Sequence, residues 1–147
     1  MSQTSRRRRL LAFPVVCMLV VAGCGKKTVE VKGTVVFPAS LKLIDSDSAK
    51  ILFVPETEGV PGASGAISNS DSSFTVNGPK GKGIALGKYK IAVRLRPYPG
   101  DPASEQRAQL FARIHDRYDE LASKLIYEVS GNSSITVDLV KGTVTKN

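Results

Sequence analysis

The chain has 147 residues, a length that favours one domain. Apolar residues make up 41% and charged residues 23%, a globular mix rather than a disordered one, and the lack of Trp argues against an aromatic platform for sugars or nucleic acid. The net charge of +8 is concentrated at one end: with Arg6, Arg7, Arg8 and Arg9 set aside, 17 basic residues face 13 acidic ones, a balance of +4 that is normal for a globular surface and removes nucleic acid as an expected partner.

The basic residues 6–9 open the chain, and an apolar run over 10–22 follows, broken only by Pro14. Val21-Ala22-Gly23-Cys24 closes it. A basic start, a short apolar stretch and a small-residue cut site make a secretory signal. The run is shorter than the roughly 20 residues that a membrane-spanning helix needs. Val21-Ala22-Gly23-Cys24 resembles the bacterial lipobox. That resemblance implies a diacylglyceryl group on the Cys24 sulfur, cleavage between Gly23 and Cys24, and acylation of the new amine. An ordinary secreted protein with an incidental Cys24 is the plainer alternative. The paired arginines also suggest twin-arginine export, although the residues after them match that signal poorly. Gly25 stands where proteobacterial lipoproteins carry the Asp that retains them at the inner membrane, which leans towards the outer membrane. The segments expected are a signal peptide over 1–23, a lipid-anchored linker over 24–27 and a folded domain over 28–147. Lys26-Lys27 is too short for a stalk, so the domain is expected close to the membrane. Cys17 leaves with the signal and Cys24 carries lipid, so neither disulfides nor Cys metal sites are expected in the domain.

From Thr28 onward, apolar residues recur at every second position, the period of a strand with one buried face. Val29, Val31, Val35 and Phe37 form the first run, with Gly33 at the position where a neighbouring backbone comes close. Ile51-Leu52-Phe53-Val54 is the second and ends at Pro55. Shorter runs lie at 65–68 and 74–76. Tyr89, Ile91, Val93 and Leu95 alternate with Lys88, Lys90, Arg94 and Arg96 until Pro97 and Pro99 stop the strand. Leu125, Tyr127 and Val129 alternate, then Ile135, Val137 and Leu139, with Gly131-Asn132 between them as the turn of a hairpin. Seven short strands with turn signals predict an antiparallel β-sandwich. Between 101 and 123 the period becomes helical through Leu110, Phe111, Ile114, Tyr118 and Leu121, with Leu125 at the end of the pattern. Asp101 suits the N-cap and Pro102 the first turn, so one helix is expected over about 102–122, lying against the sandwich.

The order Val31-Lys32-Gly33-Thr34-Val35, Phe53-Val54-Pro55-Glu56, Asp71-Ser72-Ser73-Phe74 and Leu86-Gly87-Lys88-Tyr89-Lys90-Ile91 carries a resemblance, and Ser123-Lys124-Leu125 before Val129 completes it. The chain resembles the short envelope lipoproteins, abundant in planctomycete-type bacteria, that carry a transthyretin-like (carboxypeptidase regulatory-like) domain. The likeness covers nearly all of the part after Cys24. It implies a seven-stranded sandwich that serves as a non-catalytic accessory or structural module. Ser72 or Ser73 stands where that family often has Gly, Leu86 replaces its usual proline, and the 39–48 connection and the helix are longer than usual.

Candidate chemistry is sparse. His115 is the only histidine and sits on the helix with no Gly-x-Ser-x-Gly elbow elsewhere, so a surface role is expected over catalysis, and zinc lacks ligands. Asp45-Ser46-Asp47-Ser48 and Asn69-Ser70-Asp71-Ser72-Ser73 are rich in oxygen, but neither has the glycine and distal Glu of a calcium loop, and such residues favour turns. Gly78-Pro79-Lys80-Gly81-Lys82-Gly83 lacks the Walker spacing and reads as a flexible basic loop. Lys88, Lys90, Arg94 and Arg96 line a strand face, with solvation and edge protection as their main expected role, and this strip, with Lys80 and Lys82, is a candidate contact for polyanions such as acidic polysaccharide or lipid headgroups. The expectation is a lipid-anchored envelope module that is not an enzyme and uses no cofactor or metal. Its partners are the membrane through the lipid on Cys24 and an envelope protein or polysaccharide. The alternatives are a carbohydrate- or peptidoglycan-binding module, an assembly partner docking through the helix face, and an envelope enzyme.

Overall fold

The computed structural model describes residues 27–100 and 104–147. The signal segment, Cys24, Asp101 and Pro102 lie outside the described residues. The described residues are mainly β, with one helix. In order come β1 (Thr28–Val29), β2 (Val31–Val36), β3 (Ser48–Pro55), β4 (Ala63–Ala66), β5 (Ser73–Thr75), β6 (Asn77–Gly78), β7 (Gly81–Lys82), β8 (Ile84–Ala85) and β9 (Gly87–Arg96). The helix α1 (Ser104–Tyr118) follows, then β10 (Leu125–Val129), β11 (Ser133–Asp138) and β12 (Thr143–Lys146).

Two open sheets hold most of these strands. One runs β10-β9-β3-β4-β6-β7 and the other β12-β11-β2-β5, while β1 and β8 form a separate pair. Ladder register explains which residues turn inwards. On β9, Tyr89, Ile91, Val93 and Leu95 are all buried, and they sit opposite Pro55, Phe53, Ile51 and Ala49 of β3. The second sheet contributes Val31 and Val35 from β2, Phe74 from β5, and Ile135 and Val137 from β11 to the same buried cluster. Burying each Val or Ile stabilises the fold by about 1.5–3 kcal/mol. Phe53 meets Tyr89 edge-on at 6.0 Å, and the Tyr89 hydroxyl donates to the Ala85 carbonyl at 2.9 Å.

Each of the seven expected runs contains a strand, but the pattern missed three things. The pairing is not wholly antiparallel: β2 and β11 run parallel across six residue pairs, from Val31 opposite Ser133 to Val36 opposite Asp138. Gly33 makes that approach feasible, because a Cβ there would lie 2.0 Å from the Ile135 carbonyl oxygen. Gly131-Asn132 is not a hairpin turn either. β10 pairs with β9 and β11 with β2 and β12, so the chain passes from one sheet to the other, and the Asn132 side chain accepts the Glu30 amide at 2.9 Å. The short strands β6, β7, β8 and β12 lacked an apolar alternation to reveal them.

The helix is shorter than its periodicity indicates. Phe111, Ile114 and Tyr118 are buried, and the Tyr118 hydroxyl donates to the Leu139 carbonyl at 2.7 Å. After Tyr118, the Asp119 carboxylate accepts the amides of Leu121 and Ala122, which ends the helix. Those amides, with Ala122 foremost, hold the Asp119 carboxyl below the ordinary range. Leu121 therefore leaves the core face and is 89% exposed, and Leu125 belongs to β10. β10 covers β9 only from Gly87 to Ile91, and α1 also packs against β9. No helix among the described residues is long and apolar enough to cross a membrane.

Candidate functional site

The lysines and arginines of the candidate polyanion contact lie in two groups, on β9 and on the β6–β7 hairpin. Lys88, Lys90 and Arg94 project from β9, and all three are engaged by protein oxygens. Lys88 Nζ lies 3.0 Å from Glu56 Oε2, Lys90 Nζ donates to the Glu120 carbonyl at 3.3 Å, and Arg94 pairs with the Glu120 carboxylate. Lys80 and Lys82 belong to the β6–β7 hairpin, and β7 is the edge strand on the far side of β3, β4 and β6 from β9. Both are exposed and neither has an ion-pair partner among the described residues. A single continuous strip is therefore not formed. Residues two apart share one strand face, but Pro79 to Leu86 is hairpin and bridge rather than an extension of β9.

Local chemistry shapes the hairpin. Gly78 pairs with Gly81, its amide donates to the Gly83 carbonyl at 2.8 Å, and Pro79-Lys80 make the two-residue turn. Gly83 has φ +85°, and a Cβ there would stand 3.0 Å from the Val29 carbonyl oxygen and 3.2 Å from Thr28 Cβ. Only glycine meets both the backbone angle and the close approach of β1. Facing the hairpin across a cleft of about 480 Å³ is the 59–62 loop, with Thr28, Ile84 and Ala85 completing the walls. The lining holds two lysines, five glycines and two prolines and no acidic residue. From the sequence, only the hairpin half was in view; the opposite wall carried no more signal than Gly59, Pro61 and Gly62 close together.

The oxygen-rich loops meet at the other end of the β3–β9 ladder, where Ser48 pairs with Arg96. The Asn69 side-chain amide donates to the carbonyls of Ile44 and Asp47 at 2.8 and 2.9 Å, and to that of Asp45 at 3.2 Å. Asp47 is buried, accepts the amides of Ile44 and Tyr98 at 2.9 and 3.0 Å, and pairs with Arg107 of α1. The Asp71 carboxylate accepts the Ser73 amide and hydroxyl at 3.0 and 2.8 Å. The Ser68 hydroxyl foremost, then those two donors, lower its pKa to about 2. The carboxylates of Asp47 and Asp71 are thus taken up by protein donors, the turn chemistry that such residues favour. The Asp47–Arg107 pair was not foreseen, because its members are 60 residues apart.

His115 is exposed on α1 and borders a hollow of about 190 Å³ with Leu52, Asp119 and Glu120. Among the described residues no group of three or more His, Cys, Asp or Glu could hold a metal ion. Comparison with known protein families, with curated proteins and with solved structures finds no match to this chain.

Proposed function

We propose that this chain is a lipid-anchored lipoprotein of a bacterial cell envelope, in which a transthyretin-like β-sandwich acts as a non-catalytic structural or interaction module. The observation that carries this reading is the register of the N-terminal features. Arg6 to Arg9, the apolar run and Val21-Ala22-Gly23-Cys24 stand in the order that export and acylation require, and the first strand begins four residues after Cys24. Two sheets sharing one buried cluster support the sandwich, as does Gly33 beneath Ile135 at the centre of Val31-Lys32-Gly33-Thr34-Val35. Two or three acyl chains hold a protein on a bilayer firmly, so the domain needs no spanning helix of its own.

The test is the intact mass and membrane partition of the natively expressed protein beside Cys24→Ser. The expected result is a chain that begins at an acylated Cys24 and fractionates with membranes, whereas the variant does not. A wild-type chain without acyl groups that stays out of the membrane fraction would overturn the reading. Retention of that unacylated chain on cell-wall sacculi would favour the glycan-binding alternative instead.

A further inference from the structure

The start of the fold and the glycine-rich cleft lie together. Thr28 pairs with Ala85 and Val29 with Ile84, and Thr28 itself lines the cleft beside Gly83. Cys24 precedes Thr28 by four residues, and four residues of extended chain reach at most about 14 Å. An acylated Cys24 would therefore hold Thr28, at one wall of the cleft, within about 14 Å of the bilayer surface. The side chains there suit that neighbour. Lys80 and Lys82 carry no protein counter-ion among the described residues, in contrast to Lys88 and Arg94. No acidic residue lines the cleft, and Glu58, next to Gly59 in the chain, is not part of the lining. Pro61, Pro79 and Ile84 set apolar walls beside the two ammonium groups.

We propose that this cleft is a phospholipid headgroup site, in which Lys80 and Lys82 hold the phosphate of an anionic lipid in the same membrane that Cys24 enters. The proposal rests on the lipid-anchor reading above. It adds an orientation: the β6–β7 hairpin and β1 face the bilayer, and the Asp47–Arg107 end points away. Lysines close to an anionic surface each strengthen contact by about fivefold, an effect that falls off within a Debye length of about 10 Å at 0.1 M salt.

The acylated full-length product, reconstituted in vesicles of phosphatidylcholine with or without phosphatidylglycerol, gives the test by amide hydrogen exchange at low salt. Exchange over 78–83 is expected to slow by up to about 25-fold in the anionic vesicles, a factor of about five for each lysine, with the 44–47 amides unchanged. The double change Lys80→Glu and Lys82→Glu should abolish the difference while leaving the unfolding midpoint where it was. Equal exchange in both vesicles, by a chain whose mass includes acyl groups at Cys24, overturns the headgroup site and leaves the anchor standing. A mass without acyl groups overturns both. If inorganic phosphate added to phosphatidylcholine vesicles gives the same protection, the cleft is a site for free phosphate and the headgroup assignment falls.

Discussion

The two ends of the β3–β9 ladder are built on opposite terms. At the Ser48–Arg96 end, side chains do the joining: Asp47, Asn69 and Arg107 tie two loops and a helix together through part-buried polar bonds. At the Pro55–Tyr89 end, backbone does it: glycines let β1, β6 and β7 approach closely, and although Lys88 pairs with Glu56, Lys80 and Lys82 are left outward with no ion-pair partner among the described residues. The difference separates what the fold needs from what it leaves available. A charge already matched inside the protein has little to offer a ligand, whereas Lys80 and Lys82 can be exchanged at small cost to stability.

The largest effect should come from breaking the matched end. Asp47→Ala removes the partner of a guanidinium that is 12% exposed, together with two amide acceptors, and is expected to cost about 3–5 kcal/mol in denaturant unfolding. Adding Arg107→Met should recover part of that loss, since the guanidinium that has lost its carboxylate leaves with it. Lys80→Ala with Lys82→Ala, measured alongside, should stay within about 0.5 kcal/mol of the wild type. Equal losses at the two ends would dissolve the contrast.

Gly33→Ala tests the middle of the second sheet. Its new methyl would meet the Ile135 carbonyl oxygen at 2.0 Å and the carbonyl carbon at 2.9 Å, both backbone atoms that cannot swing aside. A loss of about 2–3 kcal/mol is expected, with the parallel β2–β11 pairing the first to loosen in hydrogen exchange.

How far the sequence could be read follows the range of the interactions involved. Alternation along one strand is local, so β2, β3, β9, β10 and β11 were legible, as was the small residue needed at Gly33. Which strands pair is not local. Gly131-Asn132 reads the same whether the chain folds back on itself or crosses to another sheet, and the Glu30 amide that meets Asn132 is 102 residues away. β12 has Val144 as its one apolar residue and pairs through its backbone. The helix stop was present in the sequence as Asp119, but the apolar period ran past it to Leu121 and Leu125. The spacing of the basic residues is not local either: the sheet order that puts Lys82 on β7 and Lys88 on β9, with β3, β4 and β6 between them, has no signature in the sequence between the two.

A smaller effect sharpens the reading of the turn before Phe74. Ser72 has φ 57°, the left-handed region that favours glycine. Relief of the Cβ clash, worth about 1 kcal/mol, outweighs the extra freedom that glycine brings to the unfolded chain, so Ser72→Gly should stabilise by about 0.5 kcal/mol. Thermal or denaturant unfolding would register it, and a loss would mean that the Ser72 hydroxyl contributes more than its backbone strain costs.

The smallest effect compares two carboxylates at the matched end. Asp47 is buried and Asp71 is exposed, yet Asp71 has its pKa lowered to about 2 by the Ser68 and Ser73 donors. The unfolded chain holds this proton at about 3.8, so the native state prefers the charged form. Its contribution to stability is complete above about pH 5 and fades as the pH falls through the interval between about 4 and 2. Asp71→Asn should therefore unfold more easily than the wild type at neutral pH, and the gap between the two should close towards pH 2. A gap that stays constant from pH 5 to about pH 2 would mean that Asp71 acts through the shape of its turn, with no share from its charge.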